Sequence, residues 1–359
     1  MEQFCRLYNA VVLMNHACNY KGSYGVNHAL LINMKGYKSP NMNADLVIYI
    51  GSISRYPSGM NKAGVEMWRV NPDGEARDFE HKLTRVFAMT EEMFFSYYTE
   101  GKQASGASAY AAALQKEYED IMSKAQEVPF SNVWAAQHTI GLLPKGSVIH
   151  IAGSNTARAW NFFKLPDSVE CYSNDGVMGI DGQVSSLIGE SLASPQRLHF
   201  GVCGDLTFFY DMNSIGNRHV GNNVRLMVIN NGKGAEFKIY THNCYQFGEA
   251  ADPYMAAAGH FGNKSRTLLR HYAEDLGFEY LCASTKEEFL NAAERFLTPT
   301  ITNKSIIFEV FTDSSNESDA IYAMNHIVAD PVPFKTRVKN KLRLILPQGM
   351  IKLMKKLKA

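Results

Sequence analysis

Between Ser147 and Thr312 short apolar runs alternate with stretches of helical period, and this alternation constrains the fold more than any other feature of the chain. "SVIHIAG" (147–153) is followed by the helical pattern "SNTARAWNFF". "SVECYSN" is followed by "GIDGQVSSLIGESLA", in which Ile180, Val184, Leu187 and Ile188 recur at helical spacing. "RLHFGVCGD" leads into a helix from Thr207 to about Asn217, then come "VRLMVIN", a helix near "SRTLLRHYAEDLG", and "SIIFEVFT". Buried strands separated by crossover helices predict an α/β fold, a doubly wound parallel sheet.

The first third is thinner. "ADLVIYIGS" reads as a strand, "EMWRVNPDGEARDFEHKLTRVFAM" as two strands around the turn Asn71-Pro72-Asp73-Gly74, and "TEEMFFSYYTEG" as a helix that Thr90 can cap. A helical pattern from about Ala107 to Lys124 leads to "AQEVPFS", the best boundary, after which Ser131 caps the next helix. The expected organisation is a domain over 1–126, a second over 127–328 and a basic tail over 329–359. A length of 359 residues and a hydrophobic content of 46% suit two globular domains with real cores.

Charge and cysteine usage narrow the class further. Nine of the 36 basic residues lie from Lys335 onward, with no acid among them, which leaves 27 against all 35 acidic residues in the body. An acidic body argues against nucleic acid as the main partner. The six cysteines are scattered without a C-x-x-C pair, as reduced thiols are. No run approaches the ~20 apolar residues of a membrane span, and "AVVLM" near the start is short for a signal-peptide core, so a cytoplasmic protein is expected. In the tail, Met350, Ile351, Met354 and Leu357 fall at helical spacing with lysines largely around the other side. Such a helix lies weakly on an anionic membrane surface, packs on the acidic body or a partner subunit, or is a frayed, solvated end.

The stretch "CGDLTFFYDMNSIGNRHVGNNVRLMVINNG" (203–232) holds the chemistry. Asp205 ends one strand and starts a helix, and Asn231 ends the next strand. In an open α/β sheet ligands bind outside the carboxyl ends of the strands, where helix N-termini favour anions. One carboxylate, one amide oxygen and the backbone carbonyl of Lys233 make half an octahedron of hard oxygens, a set suited to Mg²⁺ whose remaining positions diphosphate fills.

These residues resemble a known family. Gly204-Asp205 followed by Asn230-Asn231 looks like the "GDG…NN" motif of thiamine-diphosphate enzymes. The finer match is to the SEPHCHC synthases of menaquinone biosynthesis, whose version reads GDL, as "GDLTFFYDMN" does here. "YSNDGVMGIDG", "GSNTAR", "EVFTD" and "VNPDGEARDFEHKLTRV" extend the resemblance. The last is similar to the family's central-domain signature, so 1–126 is expected to be a truncated central domain and 127–328 the diphosphate-binding domain. The resemblance implies Asp205 and Asn231 as Mg²⁺ ligands by side chain and Lys233 by its carbonyl. It makes Gly204 and Leu206 cofactor contacts beside them, and Ile180 the apolar wedge that bends thiamine diphosphate. Ser154 and Arg158 fall where the family contacts a substrate carboxylate, a task suited to the planar guanidinium.

Two positions depart from the family. Its arginine in "SNRG" is Asp175 here, and the asparagine beside Ser154 is Gly153, which puts a dianionic acceptor in doubt. In the family a glutamate from an N-terminal pyrimidine-binding domain activates the cofactor, and domains of different subunits sandwich it. The expected protein is therefore the cofactor-binding part of a transferase or lyase, a decarboxylase or carboligase acting on a 2-oxo acid. It would work in an oligomer with a separate polypeptide carrying the pyrimidine-binding domain. The alternative is a non-catalytic remnant or cofactor-binding module. His242 is either a proton donor near the cofactor's reactive end or a structural residue. "GHFGNKSR" lacks P-loop spacing, and no G-x-G-x-x-G follows a strand.

Overall fold

The computed structural model describes residues 1–51, 64–78, 81–103, 106–174, 179–260 and 265–328. Asp175 and the basic tail 329–359 therefore lie outside the described residues. The strands are β1 (Val12–Met14), β2 (Gly25–Asn27), β3 (Leu46–Ile50), β4 (Glu66–Val70), β5 (Leu83–Phe87), β6 (Val148–Ile151), β7 (Glu170–Tyr172), β8 (His199–Gly204), β9 (Val224–Asn230), β10 (Glu279–Ala283) and β11 (Ile306–Phe311). The helices are α1 (Glu2–Leu7), α2 (His28–Asn33), α3 (Glu91–Thr99), α4 (Ala109–Met122), α5 (Asn132–Gln137), α6 (Asn155–Trp160), α7 (Gln183–Ala193), α8 (Asp205–Asp211), α9 (Leu268–Asp275), α10 (Lys286–Phe296) and α11 (Ser314–Met324).

Six of the strands form one parallel sheet in the order β10-β11-β9-β8-β6-β7. The fold is α/β, as the alternation predicts. Helices and loops cover both faces of this sheet, and all seven residues of β9 are buried, so its run is largely apolar rather than alternating, with Arg225 and Asn230 the polar exceptions. Ile149, Phe200, Met227 and Phe308 enter the core on one face, while Leu226, Val228 and Ile307 join Val184, Leu187 and Phe208 on the other. Leu30 and Leu31 of α2 and Leu114 and Ile121 of α4 belong to the first of these cores, so the segment before residue 126 helps to cover the large sheet. Among the described residues no helix is long and apolar enough to cross a membrane.

A second, three-stranded parallel sheet has the order β3-β4-β5. The two strands expected around Asn71–Gly74 are present but parallel, because the link turns twice. The Arg69 guanidinium grips the Asp73 carboxylate and the Glu75 carbonyl at the first turn. Asp78 accepts from the Lys82 and Leu83 N–H groups at 2.9 and 3.1 Å at the second. The capping expectations find their bonds: Thr90 accepts from Met93 N–H at 3.3 Å and Ser131 from Trp134 N–H at 3.2 Å. The helix expected to include Ile180 begins only at Gln183. Gly182, at φ +74°, is its N-cap and breaks the helical run, so Ile180 sits on the loop before it.

Candidate active site

The sheet order reverses at β6, with β7 on one side and β8 on the other. Loops leaving adjacent strands at such a point diverge and open a crevice at the carboxyl ends. Here the crevice is framed by Gly153–Thr156 after β6 and Gly204–Thr207 after β8, and Asn231, Lys233, Glu236, Asn132, Ile180 and Glu317 complete its lining. It is a narrow cleft of about 80 Å³. A larger concavity of about 400 Å³ lies at the amino ends of β9, β10 and β11, between Asn217 and Lys304. That end presents strand starts rather than helix N-termini and brings together no carboxylate, so the chemistry is assigned to the smaller cleft.

Asp205 is the first residue of α8 and only 2% exposed. Its Oδ2 accepts from Gly232 N–H at 2.9 Å and lies 2.7 Å from His260 Nε2. Among the described residues Oδ1 takes no hydrogen bond, so the buried carboxylate keeps one oxygen to spend. The Gly232 bond ties the end of β8 to the turn after β9, and that turn needs the φ of +82° that Gly232 adopts. Asn231 Oδ1 accepts from Lys233 N–H at 3.3 Å, a long bond that an ion could readily replace.

A buried network stiffens the clamp from behind. Asn230 Nδ2 donates to Glu309 Oε1 at 2.6 Å, and the Tyr280 hydroxyl donates to Glu309 Oε2 at 2.6 Å. Burial pushes the Glu309 carboxyl above its ordinary range, the two hydrogen bonds oppose this, and the negative charge of Asp205 adds to it. Glu317, in the first turn of α11, accepts from Asn132 N–H at 3.0 and 3.1 Å and from the Thr312 hydroxyl at 2.7 Å. Burial drives its carboxyl up to about 7, with Asp205 again contributing. The charge of Asp205 thus acts on both glutamates.

At the other wall the backbone turns sharply. Ser154 has φ +63° and ψ −130°, a conformation that costs a non-glycine residue and that concentrates at functional sites. Its hydroxyl donates to Glu236 Oε2 at 3.2 Å, and Arg158 donates to the same carboxylate from Nη1 at 2.8 Å and from Nη2 at 3.2 Å. Burial raises the Glu236 carboxyl, but the Arg158 and Ser154 bonds outweigh it and hold the group below the ordinary carboxylate range.

Of the residues singled out in the sequence, Asp205, Asn231, Lys233, Gly204, Leu206, Ile180 and Ser154 line one cleft, while Arg158 stands outside the lining and meets it through Glu236. A Cβ on Gly204 would meet nothing within 4 Å, so this glycine borders open space. His242 does not line the cleft; its Nδ1 accepts from Cys244 N–H at 3.0 Å, capping the 3₁₀ segment Asn243–Tyr254. Asp211 lies outside the cleft lining and accepts from Ser185 N–H at 2.6 Å in the first turn of α7. Three groups at the site went unread: Glu236 and Glu317 in the cleft lining, and His260, 55 residues beyond Asp205, against its carboxylate. Among the described residues no three His, Cys, Asp or Glu side chains gather as a metal centre. Asp205, Asn231 and Lys233 share the cleft lining.

No family model matches the chain. Curated relatives do. The chain is 31% identical over 256 residues to the 2-succinyl-5-enolpyruvyl-6-hydroxy-3-cyclohexene-1-carboxylate synthase of Bacteroides fragilis, covering 70% of this chain and 44% of that protein. The synthase of the same name from Bacteroides thetaiotaomicron is 29% identical over 255 residues, 70% of this chain and 43% of that one. The Phocaeicola vulgatus synthase is 29% identical over 264 residues, 73% and 45% of the two chains. The chain thus resembles these synthases over most of its own length and spans less than half of theirs.

Proposed function

We propose, with the likeness to SEPHCHC synthases as the premise, that this chain binds thiamine diphosphate with Mg²⁺ at the β6/β8 crevice and serves an enzyme acting on a 2-oxo acid. The observation that carries the reading is Asp205: a carboxylate 2% exposed, at a helix N-terminus, with one oxygen free of hydrogen bonds and Asn231 beside it in the cleft lining. The donor set fits the group. Asp205 and Asn231 by side chain and Lys233 by its carbonyl would hold Mg²⁺, and Ile180 would support the cofactor from the opposite loop. Bound there, thiamine diphosphate supplies the carbon nucleophile for decarboxylation or carboligation of a 2-oxo acid. The chain's own part is to hold the diphosphate, exclude water with Leu206 and Ile180, and keep the clamp rigid through the Asn230–Glu309–Tyr280 network.

The cleft's own glutamates are committed, Glu236 to Arg158 and Glu317 to Asn132 and Thr312. We propose that the glutamate that activates the cofactor in the family comes from a pyrimidine-binding module on a separate polypeptide in an oligomer. A binding module without turnover is the second reading, favoured by the way Glu236 fills the fork of Arg158. Titration calorimetry of the chain with thiamine diphosphate should show Mg²⁺-dependent heat that Asp205→Ala abolishes, since the metal loses its one charged ligand. Equal binding by parent and variant would refute the assignment. Co-expression with a pyrimidine-domain polypeptide and assay against 2-oxo acids separates the two readings: turnover by the pair supports the enzyme, and binding without turnover supports the module.

A further inference from the structure

We infer that Glu236 is a specificity-determining residue, an internal carboxylate that occupies the anion-binding end of the cleft and excludes ligands carrying a carboxylate there. The inference rests on the functional reading above for the identity of the cleft, but its evidence is the chain's own geometry. Ser154 and Arg158 form a receptor for a carboxylate, a planar guanidinium fork with a hydroxyl beside it. That receptor is full. Glu236 Oε2 takes both the Ser154 hydroxyl at 3.2 Å and Arg158 Nη1 at 2.8 Å, while Oε1 takes Nη2 at 3.2 Å. The Asn155 side chain also accepts from Nη1 and steadies the fork.

Glu236 is held in this position from its own side. It belongs to the 3₁₀ turn Ala235–Lys238, which the Ser318 hydroxyl pins to α11 by donating to the Lys238 carbonyl at 2.8 Å. Before the turn, a Cβ on Gly234 would come within 2.8 Å of the Ala257 Cβ, so the backbone there is closely packed and cannot swing freely. A tethered carboxylate competes with a dissolved one at a high effective concentration, and a free carboxylate must displace it to reach Arg158. The end of the cleft lined by Ser154 and Glu236, with Arg158 behind them, thus selects for an acceptor that is uncharged where it meets this wall, such as an aldehyde or a hydroxyl-bearing carbonyl compound.

Malonate serves as the probe, added to the full chain at constant ionic strength and followed by calorimetry. The parent chain should bind it weakly. Glu236→Gln, which preserves shape and removes the charge, should bind it about tenfold to a hundredfold more tightly, the worth of a charge-assisted pair. The gain should vanish in the double variant E236Q/R158Q. Parent and E236Q affinities within twofold of each other, or a gain that survives R158Q, would overturn the inference. Far-UV circular dichroism checks the fold of each variant, and Glu236→Ser replaces E236Q if the amide is not tolerated. Failure of both to fold would make Glu236 a scaffold residue and overturn its role in selection. Thiamine diphosphate with Mg²⁺ is titrated into the parent and E236Q in parallel. Loss of cofactor binding by parent and variant alike would refute the functional reading while leaving the malonate result intact.

Discussion

Replacing Glu317 with glutamine should change how the stability of this protein depends on pH, and the size of the change follows from the burial of one carboxyl group. Glu317 is buried and its carboxyl titrates at about 7 in the folded chain against 4.5 when unperturbed. Between those values the folded state keeps a proton that the unfolded chain has released, so stability falls as pH rises through this window and levels off above it. At about 1.4 kcal/mol for each pH unit separating the two values, the loss comes to roughly 3 kcal/mol. Glutamine is uncharged throughout and keeps the oxygen that accepts from Asn132 N–H and the Thr312 hydroxyl. Parent and Glu317→Gln should therefore be about equally stable near pH 5, and the variant should be the more stable by roughly 3 kcal/mol at pH 8. His16 and His150, each held near 4 by burial, act in the opposite sense, adding stability as pH rises from about 4 to their ordinary value of 6.5. They contribute equally to both proteins and cancel in the difference. Urea unfolding midpoints from pH 5 to pH 8 give that difference directly. A gap between the two proteins that does not change with pH would refute the reasoning.

Two further outcomes test the site. His260→Ala should tighten Mg²⁺ binding by about tenfold in a metal titration, because it frees Asp205 Oδ2 from a charge-assisted hydrogen bond; unchanged or weaker binding would show that His260 supports the clamp instead. Ser154→Gly should raise stability by about 1 kcal/mol in thermal unfolding, since glycine adopts φ +63° without strain and the exposed Ser154–Glu236 bond contributes little; a lower melting temperature would mean that bond matters more than the strain.

What the sequence made legible follows burial. β8, β9 and β11 are almost wholly buried, so their composition is mostly apolar without alternation and marks them as core strands despite the buried His199, Arg225, Asn230 and Glu309. β10 is an edge strand with only Ala283 buried, and its "EYLCA" lacks that signal. The helix after it, α10, did carry a legible start. Thr285 accepts from Glu288 N–H at 3.2 Å, and Glu288 reaches back to Ser284 N–H at 2.7 Å, a reciprocal cap readable in "STKEE". The clamp residues could be found because strand ends and helix starts are local events. His260 and Glu236 could not be placed from the sequence, because their partners Asp205 and Arg158 are brought to them by loops whose course no periodic pattern encodes. Glu317 reads as an ordinary first-turn acid of a capped helix, and only the packing of α11 against α5 turns it into a buried, proton-holding group.

The position of β11 has a consequence for synthesis. Among the described residues it is the last strand made, yet it pairs on one side with β9 and on the other with β10, between which it must insert. Until residue 311 has emerged, a growing chain carries β9 with an unpaired edge whose flanking side chains, Met227 and Ile229 on one face and Leu226 and Val228 on the other, are destined for the core. Open apolar edges of this kind are prone to pair with other chains, which makes the incomplete chain an aggregation hazard. Ribosomes stalled near residue 300 should accordingly yield a protease-sensitive, aggregation-prone chain, while release past 328 lets the sheet close in a single late step.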